Sequence, residues 1–517
     1  MMQDALRSPR RMRWRLIVWI ALFSIISIII STLEVSRYSD GLRIERTTIG
    51  EIPMTIFKPA TFNRTPVVVV THGFAGSQQM MQPMAATLAR NGYVAITFDF
   101  AGHGRNPTPL SGGIVDLAES TRVLLDEIGE VVRFARTLPD YDGRLALVGH
   151  SMASELVVQY AMQNPGVDAV AALSLFGRAV TPQSPRNLIV IDGAWEPSVL
   201  KDAALRIVSE AAGKQARERV TYGDFATGAA RRYAYAAGAE HIGVIYSLDG
   251  LSETLDWMNA AFANQSHDFI DRRGKWLALL MIGSIGLARV ASEFLPRLMP
   301  FPADEGHSLK QLAAICFVAT IATPLVLWKA PTDFLPILLG DYLAAHFAVY
   351  GVVLWLGLWL TRSKPWRVSC GVNCLRTIAA AGLVAAYIIV AIGWPLDAFV
   401  TSFAPGGMRW ALIPIEFAAI ALAFTAEERL ARGSGAPRFA YTICKIAFVV
   451  SLALAILLNP TRLFFLAIIV PVVTVLFVLF GLVNRWAFAR TRHAMVGALG
   501  TAFALAWAIS VTFPLVD

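Results

Sequence analysis

Charge is scarce in this chain. Only 16% of its 517 residues are Asp, Glu, Lys or Arg, while 56% are hydrophobic. That balance is too apolar for a soluble protein of this length. The net charge of +8 is therefore not a nucleic-acid footprint, because surplus Arg and Lys in a membrane protein report loop topology. No nucleic-acid partner is expected. Cysteine is scarcer still. Cys316, Cys370, Cys374 and Cys444 are the four, and none falls in the polar stretch at 34–272, which must fold without disulfides. Cys370 and Cys374 are spaced C-x3-C with no second pair nearby. They read as loop thiols, and no metal or cofactor is implied.

What the chain has in abundance is long apolar runs. One lies at 14–33, "WRLIVWIALFSIISIIISTL", behind Arg7, Arg10, Arg11 and Arg13. Eight more follow near 275–295, 311–330, 335–361, 377–399, 409–426, 439–459, 463–484 and 495–515. Each is long enough to cross about 30 Å of hydrocarbon, which makes about nine spans. The first run is longer than a signal-peptide core and no A-x-A site follows it, so it reads as an uncleaved signal anchor. The boundaries expected are a basic cytoplasmic N-terminus and anchor at 1–33, a globular domain at 34–272, and an all-α membrane domain at 273–517.

Orientation follows from where the basic residues fall. With the N-terminus inside, the loops "RSKPWR", "RLARGSGAPR" and "NRWAFARTR" lie inside as well, and the nearly neutral "KAPTD", "TSFAPGGMR" and "NPTR" lie outside. The globular domain is then extracytoplasmic (periplasmic in a Gram-negative source) in a multi-pass protein of the cell membrane. "DRRGK" at 271–275 runs against this pattern. Within the spans, Arg289, Glu293, Asp341, His346 and Glu416 are ionisable. Such residues mark functional sites or structural pairs, and Arg289 and Glu293 have i,i+4 spacing.

The globular stretch alternates strand-like and helix-like segments. "LRIERTTI" and "IPMTIFKP" read as an antiparallel pair, and "PVVVVTHG" as a buried strand. "YVAITFDF", "RLALVGH", "VDAVAALSLFG" and "NLIVIDG" are further strands, with helices between most of them. This pattern predicts an α/β domain with a mostly parallel sheet covered on both faces. Ligand sites in such sheets lie at the carboxyl ends of the strands. Ser151 stands at one of these ends, directly after "LALVGH".

A nucleophilic serine on a strained strand-to-helix turn needs small neighbours. Gly149 supplies one, and Ala153 stands where a second glycine is usual. Serine also needs a histidine base oriented by a carboxylate. His72, His103 and His150 sit within turns or beside Ser151, His267 lies just before the second span, and His307, His346 and His493 belong to the membrane half. His241, in "AYAAGAEHIGVIYS", follows a final strand-like segment and is the candidate base. For the acid, Glu196 lies beyond the turn at Gly193 and Asp192 is the alternative. Asp192 is expected to bond local backbone instead.

Taken in order, "THGFAGS", "FDFAGHGRN", "GHSMA", "IDGAWEP" and "AEHIG" resemble the α/β-hydrolase fold family, in particular its serine esterase-like members. The resemblance covers roughly 42–262. It implies a Ser151–Glu196–His241 triad, with oxyanion-hole amides from Phe74 and Met152. It also implies an ester or lipid-like small-molecule substrate hydrolysed through an acyl-enzyme. Many relatives carry a helical cap before the "NLIVI" strand, where only "RAVTPQSPR" stands here. The pocket is thus expected to be open or covered from outside the hydrolase fold, with the membrane surface as the candidate cover. Transfer of the acyl group to another alcohol would use the same residues. The rival reading is a transporter or membrane scaffold carrying a silent hydrolase-like domain.

Overall fold

The computed structural model describes residues 9–61, 64–177, 180–264, 268–300, 306–361 and 374–517. Cys370 and His267 fall outside them. Helix α1 (Pro9–Ser36) leads into strands β1 (Leu42–Ile49), β2 (Ile52–Pro59) and β3 (Thr65–Thr71). Helix α2 (Gln82–Arg90), β4 (Val94–Phe98), α3 (Leu117–Thr137), β5 (Tyr141–His150) and α4 (Met152–Gln163) follow. Then come β6 (Ala169–Leu173), β7 (Leu188–Gly193), α5 (Ser198–Ala212), β8 (Arg231–Ala236) and α6 (Leu248–Phe262).

The eight strands form one sheet in the order β1-β2-β4-β3-β5-β6-β7-β8. β1 pairs antiparallel with β2, and β2 antiparallel with β4, while every other pair is parallel. A parallel sheet must be apolar on both sides, and the run "VVVV" in β3 shows how. Val67 and Val69 join one core with Leu124, Ile128, Val157 and Ile207 of α3, α4 and α5. Val68 and Val70 face the other way, toward Met84, Leu88, Leu251 and Trp257 of α2 and α6. All four valines are fully buried, each stabilising the fold by roughly 1.5–3 kcal/mol. Helix α5 carries no motif and was not among the elements expected from sequence.

Among the described residues, nine helices are long and apolar enough to cross a membrane. They are Trp14–Ser39, Arg273–Phe294, Leu309–Leu327, Gly340–Thr361, Cys374–Phe399, Arg409–Arg432, Ala440–Leu458, Pro460–Thr491 and Ala494–Thr512. The chain is a multi-pass membrane protein. Arg289 and Glu293 pair at 2.7 Å, as their spacing predicts. His346 is fully buried, 3.1 Å from the Ser451 hydroxyl. Lys445 and Glu427 form a buried pair between two helices, and Arg432 pairs with Glu428 one helical turn away.

The chain divides into two compact units. One holds the helices through Ser31, Ala278–Pro395 and Pro405–Val511. The other holds Thr32–Leu277 with two short segments from far along the chain, Leu396–Ala404 and Thr512–Asp517. In this second unit one of the three basic residues of the discordant "DRRGK" is paired within the segment itself. Arg273 is buried, with its guanidinium forked onto Asp271 at 2.7–3.0 Å, donating to Gln82 Oε1 and lying 4.2 Å from the Tyr38 ring centroid. An arginine neutralised in this way is a structural pair rather than a topology signal.

Candidate active site

Ser151 is the residue at which β5 becomes α4. Its φ of 55° is in the left-handed region, which costs a non-glycine residue roughly 1–3 kcal/mol. Neighbouring bonds hold it there. The Ser151 amide donates to the Leu173 carbonyl at 2.9 Å, and its carbonyl accepts from the Ser154 amide at 2.8 Å and the Ser154 hydroxyl at 2.6 Å. A Cβ on Gly149 would lie 2.3 Å from the Ala153 carbonyl oxygen, so glycine is obligatory at that point. Ala153 itself is fully buried in the core between the sheet and α4. The methyl that departs from the family pattern is therefore accommodated.

His241 follows β8. Its Nε2 lies 2.8 Å from Ser151 Oγ and its Nδ1 3.0 Å from Glu196 Oε1. With Nδ1–H donating to the carboxylate, the Nε2 lone pair faces the serine hydroxyl, the tautomer that a general base requires. The Glu196 side chain is 0% exposed and that of His241 18%, so the carboxylate is dry while one edge of the imidazole stays open. Glu196 reaches this position because the chain turns after β7, its amide donating to the Gly193 carbonyl at 3.0 Å.

Asp192 is not brought to His241. It is fully buried at the end of β7, and neither of its carboxyl oxygens accepts a bond from a local amide. The expected engagement with backbone is thus absent, and the carboxyl lies beside the Tyr233 hydroxyl instead. Burial, followed by the nearby charge of Glu196, pushes its pKa up to about 8. Two carboxyls this close do not both ionise readily. Of the two, Glu196 is the carboxyl paired with the imidazole.

Two further residues complete the geometry, and neither has a sequence signature. The Ser174 hydroxyl, just past β6 at a φ of 59°, donates to Glu196 Oε1 at 2.6 Å. His150 Nε2–H donates to the His241 backbone carbonyl at 2.8 Å. Burial is the main cause holding the His150 pKa down, at about 3, so the ring is neutral. It braces the loop that carries His241. Among the described residues, His72 and His103 of the domain are spent on structure. His72 accepts from the Phe100 amide at 3.2 Å through Nε2, and His103 Nδ1 lies 2.9 Å from the Ala101 carbonyl.

The two amides expected to face an oxyanion adjoin Ser151. Met152 is the first residue of α4, so its N–H has no partner within the helix. Phe74 occupies a turn closed by the Gly76 amide on the Gly73 carbonyl at 3.0 Å. This turn presses against the serine, since a Cβ on Gly73 would lie 2.9 Å from Ser151 Cβ.

Comparison with known proteins agrees with this architecture. Residues 63–228 match the family model described as serine aminopeptidase, S33. That span contains Ser151 and Glu196 and ends before His241. A protein of Mycobacterium phage D29, provisionally named a non-heme haloperoxidase, is 30% identical over 136 residues, 26% of this chain and 40% of that protein. The chain therefore spans well under half the length of this relative. Among solved structures, a provisionally named dienelactone hydrolase from Klebsiella pneumoniae is 17% identical. It covers 43% of this chain and 99% of its own, with a TM-score of 0.33. A bacterial membrane phospholipase A is 12% identical over 49% of this chain and 99% of its own, with a TM-score of 0.32. Together, the strand order and the family match make this an α/β-hydrolase domain in a chain that also carries a multi-span membrane unit.

Proposed function

We propose that the protein is a membrane-anchored serine hydrolase of carboxylic esters, its nucleophile Ser151, its base His241 and its acid Glu196. One observation carries this reading, the unbroken run of contacts at 2.8 and 3.0 Å from hydroxyl through imidazole to buried carboxylate. Ser151 Oγ attacks the ester carbonyl as its proton passes to His241 Nε2. The Phe74 and Met152 amides receive the oxyanion, and Glu196 stabilises the imidazolium. Collapse of the tetrahedral intermediate expels the alcohol, protonated by His241. Water, deprotonated by the same imidazole, then releases the acid and restores the serine.

The family description favours one second reading, cleavage of an amide at a peptide's amino terminus. The same groups would serve, with an amine leaving in place of the alcohol. A substrate panel of short-chain, long-chain and phospholipid esters alongside aminoacyl amides separates the two. Turnover confined to esters supports the first reading, and turnover confined to amides replaces it. Should a second alcohol outcompete water for the acyl-enzyme, the enzyme is an acyltransferase.

The domain is proposed to lie outside the cytoplasm. The basic segment before the first span and the basic loops "RSKPWR", "RLARGSGAPR" and "NRWAFARTR" support this, and of the three opposing basic residues in "DRRGK" Arg273 is paired with Asp271.

A further inference from the structure

The hydrolase fold is completed by residues from the far end of the chain. Leu515 donates its amide to the Gly102 carbonyl at 2.8 Å and accepts from the Leu110 amide at 2.8 Å. The Ser111 hydroxyl donates to Asp517 Oδ2 at 2.6 Å. These bonds fasten Thr512–Asp517 along the loop after β4. The other late segment, Leu396–Ala404, fastens the loop after β3. Ser402 donates its amide to Ser77 Oγ at 2.9 Å and its hydroxyl to Gln79 Oε1 at 3.1 Å. Asp397 of the same segment also pairs with Arg105, in the loop after β4, at 2.7 Å. Both loops leave the carboxyl edge of the sheet, where Ser151 sits.

Between these fastenings lies an aromatic contact with consequences for the site. The Phe513 ring, 3% exposed, meets the Phe74 ring edge-on, with centroids 6.4 Å apart at 76°. Phe74 meets His103 in the same manner, at 6.2 Å and 85°. Such pairs are each worth roughly 0.5–1.5 kcal/mol beyond their buried area. The Phe74 side chain is thus held by both neighbours. Its backbone has little freedom of its own, since Ala75 takes a φ of 56° and Gly73 abuts Ser151.

We propose that Phe513 is a positioning residue: by holding the Phe74 ring against His103, it fixes the Phe74 amide where the oxyanion of the tetrahedral intermediate forms. The inference rests on the proposed triad and adds to it. The membrane surface was the expected cover for a domain without a helical cap, and here two segments of the chain itself brace the loops beside the nucleophile. A hydrolase domain cut out at residue 277 would lack both.

The test uses the full-length protein in detergent micelles, with p-nitrophenyl butyrate as substrate. An alkylboronic acid, which forms a tetrahedral adduct on the serine, reports the oxyanion site. Phe513→Ala is expected to lower kcat by between about tenfold and the 10²–10³-fold that loss of one oxyanion donor costs. KM should stay within about threefold, boronate affinity should fall in step with kcat, and Phe513→Leu should recover much of the loss. Unchanged kcat, or a fall in kcat with boronate affinity intact, overturns the proposal. If Phe513→Ala does not fold, the cycle of Phe74→Leu, Phe513→Val and the double variant decides. Coupled effects on kcat are expected, and additive ones overturn the proposal. Failure of the underlying reading looks different, because the wild type would then show no Ser151-dependent turnover at all.

Discussion

The neutral imidazole of His150 donates from Nε2 to the backbone carbonyl of His241 at 2.8 Å, and the two rings lie 5.1 Å apart. The residue next to the proposed nucleophile thereby supports the residue proposed as its base. A buried donor of this kind is worth about 1–3 kcal/mol when its partner would otherwise be left unsatisfied. Removing it frees the His241 loop without touching any reacting atom.

His150→Phe keeps the ring volume and deletes the donor. Ester turnover should fall by roughly ten- to a hundredfold, the equivalent of that energy in rate, with KM little changed. His150→Gln, which can still donate, should keep more of the activity. Steady-state kinetics on the three proteins check this, and equal activity in all three would remove His150 from the account.

The choice of acid is tested by amides. Without its carboxylate, His241 loses its preferred tautomer and the stabilisation of its cation, so Glu196→Gln should cost on the order of 10⁴ in kcat. Asp192→Asn should leave kcat within a few-fold. Ser174→Ala should fall between them, since it removes one of the two hydrogen bonds received by Glu196 Oε1. A reversal, with activity surviving Glu196→Gln and lost in Asp192→Asn, would move the acid to residue 192.

Stability should respond to pH through the buried groups. Asp192, raised to about 8, holds a proton in the fold that the unfolded chain releases near pH 4, so its contribution falls as pH rises from there to about 8. His150, held at about 3, acts oppositely, and its contribution is lost as pH drops below about 6.5. The two oppose each other at acid pH and separate above it. Between about pH 6.5 and 8, Asp192 should cost about 2 kcal/mol, at 1.36 kcal/mol per pH unit. Thermal unfolding of the wild type should show a falling Tm across that window, flattened in Asp192→Asn. Parallel slopes would contradict the assignment of a neutral Asp192.

Topology is checked with a membrane-impermeant thiol reagent added to intact cells. Gln183→Cys, on the exposed stretch after β6, should be modified. Cys374, exposed at the start of its helix, should react only after the cells are opened. The opposite pattern would place the hydrolase domain in the cytoplasm.

What the sequence makes legible here is local. The valine run of β3, the small residues around Ser151 and the span-length apolar runs each carry their physics within a few residues. The proposed triad residues could be placed because each follows a recognisable strand. Ser174 and His150 could not, since their roles are distances across the sheet edge to Glu196 and to the His241 backbone. Phe513 was hidden by context. It ends an apolar run and reads as part of a span, yet it packs on a turn more than four hundred positions earlier in the chain. The raised pKa of Asp192 was equally hidden, because burial beside a second carboxylate is a property of the folded domain.

The central claim is that Ser151 is a nucleophile, and a fluorophosphonate probe measures that most directly. Full-length wild-type protein should be labelled at Ser151, in proportion to its loss of ester turnover, and mass spectrometry should place the adduct on that residue. Ser151→Ala should insert and fold as the wild type does, yet show neither labelling nor turnover above the background hydrolysis rate. Labelling or turnover that persists in Ser151→Ala would contradict the account.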